Sequence, residues 1–152
     1  MGIYKLIRQQ YIQADIDTVW LFFSNPANLA KITPPDMRFK TTSGPVSGEI
    51  YPGQIITYKV SPLFGIPLSW MTEITEVVKN ELFVDEQKRG PYKLWQHKHY
   101  FEQKGSGVLM TDIVQYELPF FLLGRLAHTL FIKRRLAHIF DYRHRQVEQL
   151  FN

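Results

Sequence analysis

Between Ile55 and Leu118 the chain offers a series of strand-like runs whose later connections are too short for anything but reversal. Ile55–Ser61, Trp70–Val78, Leu82–Lys88, Leu94–Gln103 and Val108–Leu118 are each rich in β-branched and aromatic residues. VSPLFGIPLS makes a loop after the first of them, while RGPY (89–92) and KGSG (104–107) carry the glycine and proline of tight turns. Parallel neighbours need a crossover of about a dozen residues or more. The expected core of the fold is therefore an antiparallel meander.

The flanks add helices. Ile3–Ile12 reads as an opening strand, and Asp15 or Asp17 is placed to cap a short helix through Thr18–Phe23, because a side-chain acceptor there meets the free amides of the first turn. SNP at 24–26 interrupts it. A second short helix, Ala27–Ile32, ends before Thr33, Pro34 and Pro35, where proline's missing donor stops propagation. Gly44, Pro45, Gly48, Pro52 and Gly53 punctuate the next stretch and leave room for one short strand around Ser47–Ile50. After Pro119, Leu123, Leu126, Leu130, Ala137 and Phe140 share one broad arc at helical spacing, which predicts a long closing helix with a bend near Gly124. Leu136, Ile132 and Ile139 fall on its other side, a second apolar face available for the amino-terminal helices, a dimer contact or a membrane surface.

The informative stretch is DEQKRGPYKLWQHKHYF, residues 85–101. Trp95, His97, His99 and Phe101 occupy alternate positions and so share a face, opposite Leu94, Gln96, Lys98, Tyr100 and Glu102. Pairing Lys104 with Gly107 sets Phe101 against Met110, His99 against Asp112, His97 against Val114 and Trp95 against Tyr116. Carried back across RGPY, the register brings Phe83, Asp85 and Gln87 to the same face. Buried polar groups are costly unless partnered, so this set has three readings: a hydrogen-bonded network that finishes the inside of the sheet, the polar spots of a largely apolar cavity, or, more weakly supported, a metal set of two His with Asp85 or Asp112 lacking HExxH spacing and cysteine. Catalysis stays open as well. His99 oriented by Asp112 suits a general base, while Ser69 and Thr72 lack any nucleophile signature. Arg134 and Asp141 border the helix arc and can either lean toward a pocket mouth or extend to water.

Composition narrows the classes. At 152 residues the chain has the length of a single domain. The absence of cysteine removes disulfides and thiol chemistry, and the MGIYKLIRQQYIQ start lacks a signal peptide's apolar run, so a cytoplasmic location is expected. No stretch is apolar enough to span a membrane, although peripheral contact stays open. The net charge of +4, concentrated late in the chain, comes without a nucleic-acid-binding motif, so no nucleic-acid partner is expected.

The order strand, two short helices, antiparallel strands and one long helix resembles the α+β helix-grip fold of the START, Bet v 1 and polyketide cyclase (SRPBCC) superfamily. More closely, FVDEQKRGPYKLWQHKHYF, MTDIVQYELPF and IFDYRHRQ look like a bacterial ligand-binding or cyclase-like branch of it, with the resemblance covering nearly the whole chain. It implies a single domain, 1–152, whose curved sheet and two short helices wrap the terminal helix around a hydrophobic cavity. The expected ligand-binding residues are Trp70, Phe83, Asp85, Gln87, Trp95, His97, His99, Phe101, Asp112, Tyr116, Leu126, Leu130 and Arg134; Tyr92 matches a recurrent position, and Gly90 and Pro91 match the turn. His99 and Asp112 would be catalytic only in an enzyme. The expected function is binding of a small hydrophobic or amphipathic molecule, by a monomer or homodimer, without cofactor or metal. The alternatives are a cyclase or dehydratase acting on a polyketide-like or aromatic substrate by His-assisted acid–base chemistry, and a non-catalytic partner-binding domain. Phe120, Phe121 and Leu122 depart from the glycine-rich link of relatives and would narrow the pocket mouth.

Overall fold

A computed structural model describes residues 2–44, 48–62, 65–119 and 128–151, with the side chains of Thr129 and Leu130 excluded. Strand β1 (Tyr4–Ile12) leads into helix α1 (Ile16–Phe23), followed by two 3₁₀ segments, Pro26–Ile32 and Pro35–Met37. Strands β2 (Lys40–Thr41), β3 (Ile55–Val60), β4 (Leu68–Val78), β5 (Leu82–Arg89), β6 (Leu94–Lys104) and β7 (Gly107–Glu117) come next. A π-helical turn, His128–Ile132, opens the terminal helix α2 (Lys133–Phe151). The strands form one antiparallel sheet in the order β1-β7-β6-β5-β4-β3-β2, wrapped around the helices, which is the helix-grip arrangement.

Local chemistry accounts for the boundaries. The Asp15 carboxylate accepts from the Thr18 amide at 2.8 Å and starts α1. Asn25 does the same for Ala27 at 3.1 Å, and the first 3₁₀ segment stops at Thr33 before the two prolines. The β6–β7 register pairs Lys104 with Gly107, Phe101 with Met110 and His99 with Asp112, as the turn spacing predicts. Register shifts at Met71/Thr72 and Ile74/Glu76 put bulges into the β4–β5 pairing, a device that bends a sheet.

Two expectations need correction. Residues 48–50 are not a strand; the short strand lies earlier, at Lys40–Thr41, where β3 supplies its partner, and Ser47 is outside the described residues. The buried stripe of the terminal helix is Ile132, Leu136, Phe140, Arg143 and Val147, so Leu136 and Ile132 face inward with Phe140 instead of lying opposite it. Ordinary helical geometry is the reason: these five positions are spaced by four or three residues, and at 3.6 residues per turn such positions share one face. The proposed bend near Gly124 and the side chains of Leu123, Leu126, Phe120, Phe121 and Leu122 are outside the described residues.

The core divides into two large apolar clusters with a polar layer between them. One end holds Trp20, Phe23, Phe83, Phe101, Met110 and Val147, with the Trp20 indole edge-on to Phe83 and Phe101. The other holds Val114, Tyr116, Leu118, Leu136 and Phe140, beside a smaller group of Met37, Val60 and Trp70. On five elements a polar residue stands between a member of one cluster and a member of another: Tyr58 on β3, Thr72 on β4, His97 and His99 on β6, Asp112 on β7 and Arg143 on α2; Asp85 on β5 joins them, next to Phe83 and paired with His97 across the ladder. Period-two alternation on the strands and a helical step on α2 bring them to one level.

Candidate functional site

A cavity of about 200 Å³ opens beside this polar layer. Its floor comes from Tyr58, Trp70, Thr72, Trp95, His97 and His99 of the sheet, and its roof from Phe22 and Phe23 of α1 with Leu136, Ile139, Phe140 and Arg143 of α2. Apolar surface dominates the wall. An apolar cavity of about 150 Å³ accepts benzene, so this one suits a single substituted ring or a short branched chain.

Of the residues singled out from sequence, Trp70, Phe83, Asp85, Trp95, His97 and His99 line the cavity. Gln87, Phe101, Asp112, Tyr116 and Arg134 do not. The Gln87 amide donates to the Tyr92 carbonyl at 2.6 Å and accepts from the Tyr92 amide at 3.1 Å, clamping the turn between β5 and β6. Phe101 packs under Trp20 and Phe23. Tyr116 is buried and hydrogen-bonds His128 at 2.7 Å, with Tyr4 stacked on the imidazole at 3.6 Å; burial raises its phenol to about 12. Arg134 is exposed on α2, and Asp141 pairs instead with Arg8 at 2.5 Å across to β1. Leu126 and the side chain of Leu130 lie outside the described residues. Arg143, overlooked in the sequence because it interrupts an apolar stripe, is the positive group of the site. A cation spaced four and three residues from flanking buried positions was the signal that could have found it.

The carboxylates divide the histidines between them. Asp112 Oδ1 meets His97 Nε2 at 2.8 Å, while Asp85 Oδ2 meets His99 Nε2 at 2.6 Å. His99 Nδ1 stands 3.3 Å from Asp112 Oδ1, so the expected His99–Asp112 contact is present as an ion pair, but the hydrogen bond of His99 goes to Asp85, which is its closer partner. Asp112 lies behind the cavity wall and acts on its contents only through the histidines and Arg143. The two imidazoles stack at 3.6 Å.

Charge balance follows from this geometry. Burial alone would push the Asp112 carboxyl up, but the Arg143 guanidinium and the two histidines hold it well below the ordinary range. Asp85 is also lowered, by its hydrogen bond to His99 and that ring's charge, against its own burial. Burial and the charge of His99 push His97 down, whereas His99, desolvated but set between two carboxylates, is pushed up. The directions are consistent with one another: Arg143 and His99, whose charged form the carboxylates favour, stand against the two carboxylates, while His97 is the imidazole that burial drives toward its neutral form.

Asp85, His97 and His99 each offer a ligand atom within 4.8 Å of the others, the count needed for a two-His, one-carboxylate centre. Stacked rings direct their in-plane nitrogens side by side more than toward a common point, and a dication would have to stand near the Arg143 guanidinium. The donor set fits the internal ion pairs better than a metal.

No family model matches the chain, and no curated sequence resembles it significantly. Solved structures do share its shape. Protein Ms6760 from Mycobacterium smegmatis is 17% identical with a TM-score of 0.71, covering 97% of this chain and 90% of that one. Ginseng major latex-like protein 151 from Panax ginseng is 18% identical with a TM-score of 0.70, over 98% and 97% of the two chains. A START superfamily protein from Mycobacterium smegmatis gives 14%, 0.68, 98% and 99%. At such identities the likeness is one of fold, and what the chains share is the helix-grip architecture. No helix among the described residues is long and apolar enough to cross a membrane.

Proposed function

We propose that this chain is a single-domain cytoplasmic binding protein of the bacterial ligand-binding branch, and that it holds a small amphipathic molecule, the size of one substituted ring, inside the helix grip. The observation that carries the reading is a cavity of about 200 Å³ with apolar walls and one polar side, where Asp85 and His99 stand among aromatic rings. Burial of ligand surface would supply affinity at about 25 cal/mol per Å² before the costs of association. The polar side would choose the orientation. Fold likeness to a START superfamily protein supports the reading in kind. Isothermal titration with alkylbenzenes and aryl ketones tests it, together with Ile139→Trp, which places a larger ring where Ile139 lines the cavity. Binding by the wild type that weakens at least about tenfold in Ile139→Trp is expected. Equal binding by both proteins would move the ligand out of the cavity, and no binding by either would refute it.

A second reading has one observation in its favour. His99, hydrogen-bonded to Asp85 at 2.6 Å, stands in the cavity wall where it would give a proton to the carbonyl oxygen of a bound aryl ketone as water takes one from the α-carbon, forming the enol. Hydrogen–deuterium exchange at the methyl group of acetophenone in D₂O reports it. Exchange no faster than in buffer, or equally fast in His99→Gln, would exclude this chemistry.

A further inference from the structure

The fully buried polar atoms left without hydrogen-bond partners on the described residues lining the cavity are three nitrogens, and one of them, His99 Nδ1, faces Asp112 at 3.3 Å, which leaves Arg143 and Trp70. Arg143, nine-tenths buried, lies with its guanidinium carbon 5.5 Å from the Phe23 ring centre and 5.9 Å from that of Phe140. Its contact to Asp112 is 3.6 Å, longer than a hydrogen bond, because the same oxygen already meets His97 at 2.8 Å. The buried Arg143 Nε has no hydrogen-bond partner. Trp70, 7% exposed, also turns a buried indole N–H to no partner. Both residues line the cavity. Asp85 Oδ2 already takes His99, the Tyr58 hydroxyl is 2.9 Å from the Thr72 hydroxyl, and among the described residues lining the cavity no fully buried side-chain oxygen is without a partner. A buried donor without an acceptor is destabilising, and a charged one more so. A ligand that brings an acceptor relieves this, while one that brings a donor finds no fully buried oxygen waiting for it.

We infer that the polar end of the ligand is a hydrogen-bond acceptor, a carbonyl or carboxylate oxygen, anchored by Arg143 with Trp70 as the second donor. The inference rests on the cavity-binding reading and adds the ligand's chemical class to it. Arg143 then has two roles, as counter-charge to Asp112 and as specificity determinant. The fixed fork of a guanidinium suits a planar carboxylate or carbonyl better than an ammonium would.

Three probes of one skeleton separate the possibilities: acetophenone carries an acceptor, cumene carries neither acceptor nor donor at the same position, and 1-phenylethylamine carries a donor. Cumene is the least soluble in water, so a purely hydrophobic cavity would prefer it. Isothermal titration of the wild type is expected to rank acetophenone above cumene and the amine last. In Arg143→Met the acetophenone-to-cumene affinity ratio should fall about ten- to hundredfold, the scale of a hydrogen bond to a charged group. Because that variant leaves the Asp112 carboxylate buried without its counter-charge, Arg143→Met combined with Asp112→Asn provides a charge-balanced partner in which the same fall is expected. A wild type that binds cumene as well as acetophenone, or the amine best, overturns the inference while leaving cavity binding intact. An unchanged ratio in the folded variants also overturns it. Failure of all three probes to bind removes the cavity reading as well.

Discussion

Replacing Asp112 by Asn keeps the shape of the side chain and an oxygen for His97 while removing one charge from the middle of the core. Asp112 Oδ1 lies 2.8 Å from His97, 3.3 Å from His99 and 3.6 Å from Arg143, so a single buried oxygen holds three cationic or potentially cationic groups in place. Breaking a buried ion pair by removing one partner costs about 3–5 kcal/mol. The retained acceptor and the adjoining cavity favour the lower end, about 3 kcal/mol, or a fall of about 6–12 °C in the midpoint for a chain of this length. The pH dependence is part of the prediction. A carboxyl whose folded pKa is lowered adds stability above its unfolded value of 3.8, and that stability is lost as pH falls through the folded value, so the difference between wild type and variant should collapse only in strong acid. His99, raised above 6.5, adds stability that is complete below 6.5 and is lost as pH rises through its folded value; without Asp112 that value falls, so the difference is largest between about pH 4 and 6.5. His97, held neutral, acts in the opposite sense in both proteins, favouring the fold above 6.5 and weakening it as pH falls. Urea unfolding across this range, with the imidazole Cε1–H shifts of His99 followed by NMR, measures both effects. A cost below about 1 kcal/mol, together with an unmoved His99 titration, would refute the charge balance assigned to this cluster.

Three further outcomes are expected. Gln87→Ala should lower stability by about 1–2 kcal/mol through loss of the clamp on Tyr92, with the acetophenone-to-cumene ratio unmoved; a changed ratio would return Gln87 to the ligand site. Gly107→Ala should cost about 1–3 kcal/mol in denaturant unfolding, because a Cβ there would lie 2.6 Å from the Ile12 carbonyl oxygen and 2.5 Å from the Tyr11 ring, and a neutral result would show that β1 yields easily. Excess Zn²⁺ should leave the thermal midpoint unmoved, whereas a rise of more than about 5 °C would show that Asp85, His97 and His99 converge on a cation after all.

The sequence carried the meander and its register because both depend on local rules. Two short turns fix antiparallel pairing, and period-two alternation fixes the face, so Phe101 opposite Met110 and His99 opposite Asp112 could be read before any coordinates existed. The cap on α1 was equally local, since Asp15 reaches an amide only three residues away. Alternation also placed Asp85, His97 and His99 on one inward face. It could not say which carboxylate serves which imidazole, because that depends on side-chain rotation and on the bulged path of β5 against β4. Nor could it separate Gln87 and Phe101 from the cavity wall: face is a property of one strand, whereas a cavity is the space left between several elements. Arg143 is the clearest case. On its own helix it looks like a break in an apolar stripe, and only the packing of α2 against the sheet brings it opposite Asp112 and gives its charge a role.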